Sequence, residues 1–224
     1  MSLILNIDSS VELASLCLAK EGIAINTVSN DKLKDHAAWM HPAINELLRK
    51  ENLTLKDVDA VAVSIGPGSY TGLRVALASA KGLCYAMNIP LITIGTLEIM
   101  AHAVKDLATD LICPMIDARR MEVFTAVYDK NVNPVISPQP MIIDENSFAS
   151  LLPYRKMLFC GNGVTKLQAI ISNSNALFSN HIVDATGMAY LSYQQFCKKE
   201  FADLAYVEPL YIKEFYSATR KPGS

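Results

Sequence analysis

The sequence is short of the residues from which metal centres, secreted scaffolds and membrane spans are built. Its five cysteines (Cys17, Cys84, Cys113, Cys160 and Cys197) are scattered and odd in number, with no C-x-x-C pair. That spacing excludes the common zinc ribbons and disulfide frameworks, and it reads as free buried thiols in a reducing cytosol. The four histidines are His36, His41, His102 and His181. No two stand four residues apart, so no helix offers the His-x-x-x-His pair that grips a cation from one face. No apolar run reaches the roughly 18 residues that a spanning helix needs. The first ten residues include Asp8 and lack a basic start ahead of a long apolar run, so they do not read as a secretion signal. The expected compartment is the cytoplasm, with no membrane association. Charge is sparse too, at 19% of residues and a net −2. A chain so balanced has no polybasic surface able to hold nucleic acid unaided.

Core-forming material, in contrast, is abundant. Of the 224 residues, 51% are apolar, enough for one large domain or two small ones. Short apolar runs read as strands at Leu3–Asp8, Ala14–Ala19 and Gly22–Val28. A helix follows over Asp35–Glu51, with Met40, Ile44, Leu47 and Leu48 on one face. Asp59–Ile65 reads as a strand, Tyr70–Met87 as a helix and Pro90–Ile94 as a strand. Thr96 then caps a helix over Leu97–Lys105. This β-β-β-α-β-α-β-α order implies a mixed sheet covered by helices.

The second half restarts the pattern. NIDSSVELASLCLA and MIDARRMEVFTAVY both run as apolar strand, Ile-Asp, short turn and alternating strand. Further on come a strand at Lys156–Cys160, a turn at Gly161-Asn162-Gly163 and a helix over Val164–Ile171. A strand at Leu177–Ile182 and a helix over Ala185–Phe201 complete the set. Two similar lobes are expected, residues 1–106 and 107–224, with the last segment able to pack back on the first lobe. A disordered tail is expected over 220–224.

The stretch SIGPGSYTGLRVALASAKGL, residues 64–83, suggests a phosphate loop. It fails the Walker spacing, because Thr71 or Leu73 stands where the second glycine belongs, and no lysine follows. It fails the dinucleotide spacing as well, since Thr71 replaces the third glycine. The glycines therefore read as a sharp strand-to-helix turn stiffened by Pro67. Behind them, Gly72, Ala76 and Ala80 make a stripe of small residues that lets another element come close. That element is either the chain's own sheet or a partner's helix.

SIGPGSYTGLRVALASAKGL, then IPLITIGTLEIMA, IDARRMEVFTAVY and the late VEPLYIKEF closely resemble the TsaB (YeaZ) family. The four segments keep the family's order over nearly the whole chain. The resemblance implies an α/β, actin-like fold of duplicated βββαβαβα lobes. This is the ribonuclease H-like plan shared by sugar kinases, heat-shock chaperones and actin. It also implies a role in making tRNA threonylcarbamoyladenosine, the modified adenosine beside the anticodon. There the chain would be a non-catalytic partner subunit that dimerises with the catalytic subunit TsaD and is joined by the ATPase TsaE. tRNA would be reached through the complex, and the chain would form a homodimer when alone. The family's interface is a helix bundle, so Trp39, Met40, Ile44 and Leu47 on one helix are expected to meet the partner. Gly72, Leu73, Ala76 and Ala80 on the next helix are expected to join them. No catalytic residue and no metal ligand is expected, because Thr96 and Met100 stand where a TsaD-like chain carries its two histidines.

No cofactor of its own is expected, with ATP or ADP held at most within the complex. Enzymes of this fold clamp phosphate with an Asp-x-Gly-Ser/Thr hairpin. Here Asp8-Ser9-Ser10 lacks the glycine, and Asp117 is followed by Ala118-Arg119-Arg120, bulky where backbone should approach phosphate. Asp8, Ser9, Asp117 and the Gly161-Asn162-Gly163 turn remain the candidate nucleotide contacts. The alternatives are a small ATP-dependent kinase of the same superfamily or a metallopeptidase-like homologue.

Overall fold

A computed structural model describes residues 2–30, 36–181 and 183–213. Ten strands form two five-stranded sheets with the same plan. In the first, β1 (Leu3–Asp8), β2 (Ala14–Lys20) and β3 (Ile23–Asn30) pair antiparallel, while β4 (Ala60–Ser64) and β5 (Leu91–Ile94) add parallel to β1. Their spatial order is β3-β2-β1-β4-β5. In the second, β6 (Leu111–Asp117), β7 (Glu122–Asp129) and β8 (Pro134–Ile142) are antiparallel. There β9 (Met157–Cys160) and β10 (Ala176–Ser179) add parallel to β6, giving β8-β7-β6-β9-β10. The helices are α1 (His36–Lys50), α2 (Tyr70–Met87), α3 (Thr96–Val104), α4 (Val164–Gln168) and α5 (Ala189–Lys198).

Strand periodicity sorts the first sheet into two unlike faces. Leu5, Ile7, Leu16, Leu18, Val61 and Val63 form one core with α1 and α2. Between them in sequence, Ile4, Cys17, Ala19, Ala60 and Ala62 form another with Ile99 of α3 and Met188 and Ala189 from the chain's last third. Mostly small residues on this second face let the covering elements sit close. Helix α3 then turns Leu97, Met100, Ala101 and Val104 to the second sheet, where they meet Ile112, Ile116 and Leu158. One helix therefore belongs to both cores.

The sheets repeat and the helices do not. After β8, where the repeat calls for a counterpart of α1, residues 144–154 form successive turns that bury Phe148 and Leu152. The expected helix over Ala185–Phe201 is a short 3-10 turn (Ala185–Met188) followed by α5, which ends at Lys199 in the left-handed region. Helix α5 packs on the first sheet. Strand β8, which the duplicated plan requires but no run in the sequence marked, contains Pro134, Pro138 and Pro140. It is an edge strand, where a missing N–H is tolerated. Helix α4 stops at Gln168, short of Ile171, and Gly95 rather than Thr96 takes the N-cap position of α3. Asp35, Ile182 and the tail 220–224 lie outside the described residues.

Candidate functional site

The turn between β1 and β2 is where an actin-like chain would hold phosphate, and here it is filled from within. Asp8 is buried, and its Oδ1 accepts three hydrogen bonds. They come from the Ser10 N–H at 3.0 Å, the Ser10 hydroxyl at 2.7 Å and the Ser64 hydroxyl at 2.6 Å. Ser9 is buried as well, with its hydroxyl 3.0 Å from Nδ1 of His36. The glycines of residues 66–72 serve this same packing. A Cβ on Gly68 would overlap the Ser10 carbonyl oxygen, and one on Gly72 would overlap that of Ser9. The Ser69 N–H donates to the Ser10 carbonyl at 2.6 Å, and the Ser69 hydroxyl caps α2 by accepting from the Gly72 N–H at 3.3 Å.

The corresponding turn in the second sheet stays at the surface. Asp117 accepts from Nζ of Lys166 at 2.7 Å and from the Arg119 N–H at 2.5 Å. Burial alone would raise its carboxyl, but the Lys166 and Arg119 contacts and charges outweigh that and hold it below the usual carboxylate range. Asn162 is exposed, and its Oδ1 accepts from the Asp117 N–H at 2.9 Å. Its flanking glycines are packing residues. Gly161 has φ 98, and a Cβ there would overlap Met100 and the Met115 carbonyl, while one on Gly163 would crowd Met115 at 3.1 Å. Asp8, Ser9 and Gly163 are buried in intrachain contacts, Gly161 is half-buried, and Asp117 and Asn162 face solvent.

The residues expected at the interface are mostly turned inward. Met40, Ile44, Leu47, Leu73, Ala76 and Ala80 are at most 2% exposed. All but Leu73 belong to the core against the chain's own β1, β2 and β4, and Gly72 is buried on Ser9. The small-residue stripe serves the chain's own sheet, so a partner cannot reach it. Trp39 is half-buried at the rim of that core. The outward face of α2 carries Arg74, Ala78, Gly82 and Tyr85 instead. Nothing lies within 4 Å of a Cβ built on Gly82, and Tyr85 is 83% exposed. Small residues line both sides of α2, and the expected stripe is the side that the chain's own sheet covers.

Thr96 and Met100 are buried in α3, and among the described residues no three His, Cys, Asp or Glu side chains group as metal ligands would. Burial pushes the thiols of Cys17 and Cys84 up to about 11 and that of Cys160 up to about 12, which marks them as unreactive. Cys113 is raised by burial too. Glu98, half-buried on α3, is raised by desolvation. His102, whose ring lies 5.3 Å from that of Tyr190, is lowered first by desolvation and then by the Lys105 charge. Among the described residues no helix is long and apolar enough to cross a membrane.

Two sheets of one plan joined through α3, with helices on their faces, define the actin-like, ribonuclease H-like class of α/β proteins. The family model for TsaD, tRNA N6-adenosine threonylcarbamoyltransferase, matches residues 27–206. TsaB from Haemophilus influenzae is 30% identical over 94% of this chain and 83% of its own length. TsaB from Bacillus subtilis is 34% identical over 56% of this chain, and the match spans only 54% of that relative's length. The structure of YeaZ from Pseudomonas aeruginosa superposes with a TM-score of 0.80 at 24% identity, covering 94% of this chain and all of that one. The chain belongs to the TsaB (YeaZ) family, on the similarity to the Haemophilus protein over nearly its whole length.

Proposed function

We propose that the chain works in tRNA threonylcarbamoyladenosine biosynthesis as a non-catalytic partner subunit. It dimerises with a TsaD-type catalytic subunit, is joined by a TsaE-type ATPase, and meets tRNA through that complex. Alone, it pairs with a second copy of itself. The pathway is supported by the family membership and the names its relatives carry. The non-catalytic role is supported by one observation above the rest: the turn that would clamp phosphate is filled by Ser10, Ser64 and the glycines of the α2 loop.

The docking face in this reading is the outward side of α2. Ala78 and Gly82 let a helix approach closely, while Arg74 and Tyr85 are of the types that dominate interface energetics. The test is to mix the purified chain with the TsaD-type subunit of its own organism and weigh the product by light scattering. A 1:1 heterodimer is expected, and Gly82→Arg should abolish it without lowering the melting temperature. Two unassociated proteins, or a heterodimer indifferent to Gly82→Arg, would overturn the docking proposal.

A further inference from the structure

Among the described residues, the segment after α5 forms no helix or strand of its own, yet it touches four separate elements. At its root, the Ala202 N–H donates to the Leu91 carbonyl at 2.8 Å, laying the chain against the outer edge of β5. Ala202, Leu204 and Val207 pack at the rim of the first core. Beyond them the chain runs on over residues 208–213. The Leu210 N–H donates to the Ile65 carbonyl, just past β4, at 2.7 Å. Gly66 makes room for this approach, since a Cβ there would stand 2.8 Å from the Leu210 carbonyl oxygen. The Tyr211 ring lies 5.4 Å from that of Tyr70, the first residue of α2, and the Arg74 guanidinium lies 5.0 Å from the same Tyr70 ring. Lys213 ends the run in an ion pair with Glu122, the first residue of β7 in the second sheet.

We propose that residues 208–213 are a latch. They dock as a separable strap over the end of β4 and onto β7, tying the second sheet to the first and ordering the first turn of α2. Three features carry this. The strap's contacts run to both sheets, through Ile65 in one and Glu122 in the other. Leu210 and Tyr211 stay 40% and 39% exposed, so the strap adds little to either core. A segment whose apolar side chains stay this exposed opens before the elements beneath it do. In open α/β sheets the carboxyl ends of parallel strands are where ligands bind. At β4 that end is covered by the chain's own Leu210.

The strap can be tested without a partner. Leu210→Pro removes the N–H that reaches Ile65, and its side chain is too exposed for the sheets to depend on it. Chymotryptic cleavage after Tyr211 should quicken about tenfold, the effect of one lost hydrogen bond on an opening equilibrium. Amide exchange over Tyr70–Leu73 should quicken with it, and the melting temperature should stay within about two degrees. Equal cleavage rates in the parent and variant chains would overturn the latch. So would a larger fall in melting temperature, which would make the strap part of one cooperative core. If Leu210→Pro fails to fold, Lys213→Met still tests the tie to the second sheet, with cleavage expected about threefold faster. An unchanged rate there overturns that tie. In a complex, the ordered first turn of α2 would steady Arg74 at the near end of the docking face, an extension that rests on the docking face proposed above. Cleavage and exchange need no partner, so failure of one reading leaves the other standing.

Discussion

The two turns that open the two sheets descend from one plan and have parted company. Between β1 and β2, an aspartate is sealed behind three donors, and two glycines press the next loop onto its backbone. Between β6 and β7, the matching aspartate stays at the surface with a lysine, and the chain reverses through Arg119 and Arg120, both left-handed at φ 70 and 49. The first turn has become structure. The second keeps exposed charge on a backbone that suits Asn-Gly far better than two arginines. Shared topology therefore does not carry shared chemistry, and each turn has to be read from its own contacts.

The contrast can be broken most severely at the glycines. Gly72→Val should prevent folding, because the side chain would enter the Ser9 carbonyl and no flexible group can yield; circular dichroism on the purified variant decides it. Next comes the acid pair. Asp8→Ala strands three buried donors and should cost about 3–5 kcal/mol in urea unfolding. Asp117→Ala should cost below about 1 kcal/mol, its pair with Lys166 being part-exposed. Equal losses would mean that the two turns are alike after all. Replacing Arg119-Arg120 by Asn-Gly should move stability the other way, a gain of about 1 kcal/mol as strain at two positions is relieved. The smallest effect is at Glu98. Its raised carboxyl is fully tolerated below its ordinary value of 4.5 and becomes a burden as pH rises through the shifted one. Glu98→Gln should therefore match the parent chain in acid and melt higher at neutral pH. A constant difference across a pH series would show that titration is not the cause.

Most of the fold was legible because it rests on local signals. The short apolar runs of β1, β4 and β6 and the Tyr70–Met87 helix are written in consecutive residues. Strand β8 was hidden because its prolines argue against any strand, and only its place at a sheet edge lifts the objection. The candidate sites were harder to read, since their meaning depends on which surface a residue faces. Gly68, Gly72, Gly161 and Gly163 look like loops for phosphate until the backbones pressed against them are known. Ala76 and Ala78 are equally small, and only the packing makes one core and the other exposed.

The Ala202 bridge to Leu91 also covers a sheet edge on which another molecule could otherwise pair. Strand β5 is a margin of the first sheet and contains no proline or charge to discourage pairing with another molecule. On β8 the prolines protect the opposite kind of edge. At β5 the protection is a piece of neighbouring chain laid alongside. A molecule cut before Ala202 would keep its sheets and lose that cover, leaving a strand margin on which insoluble, β-rich assemblies can nucleate.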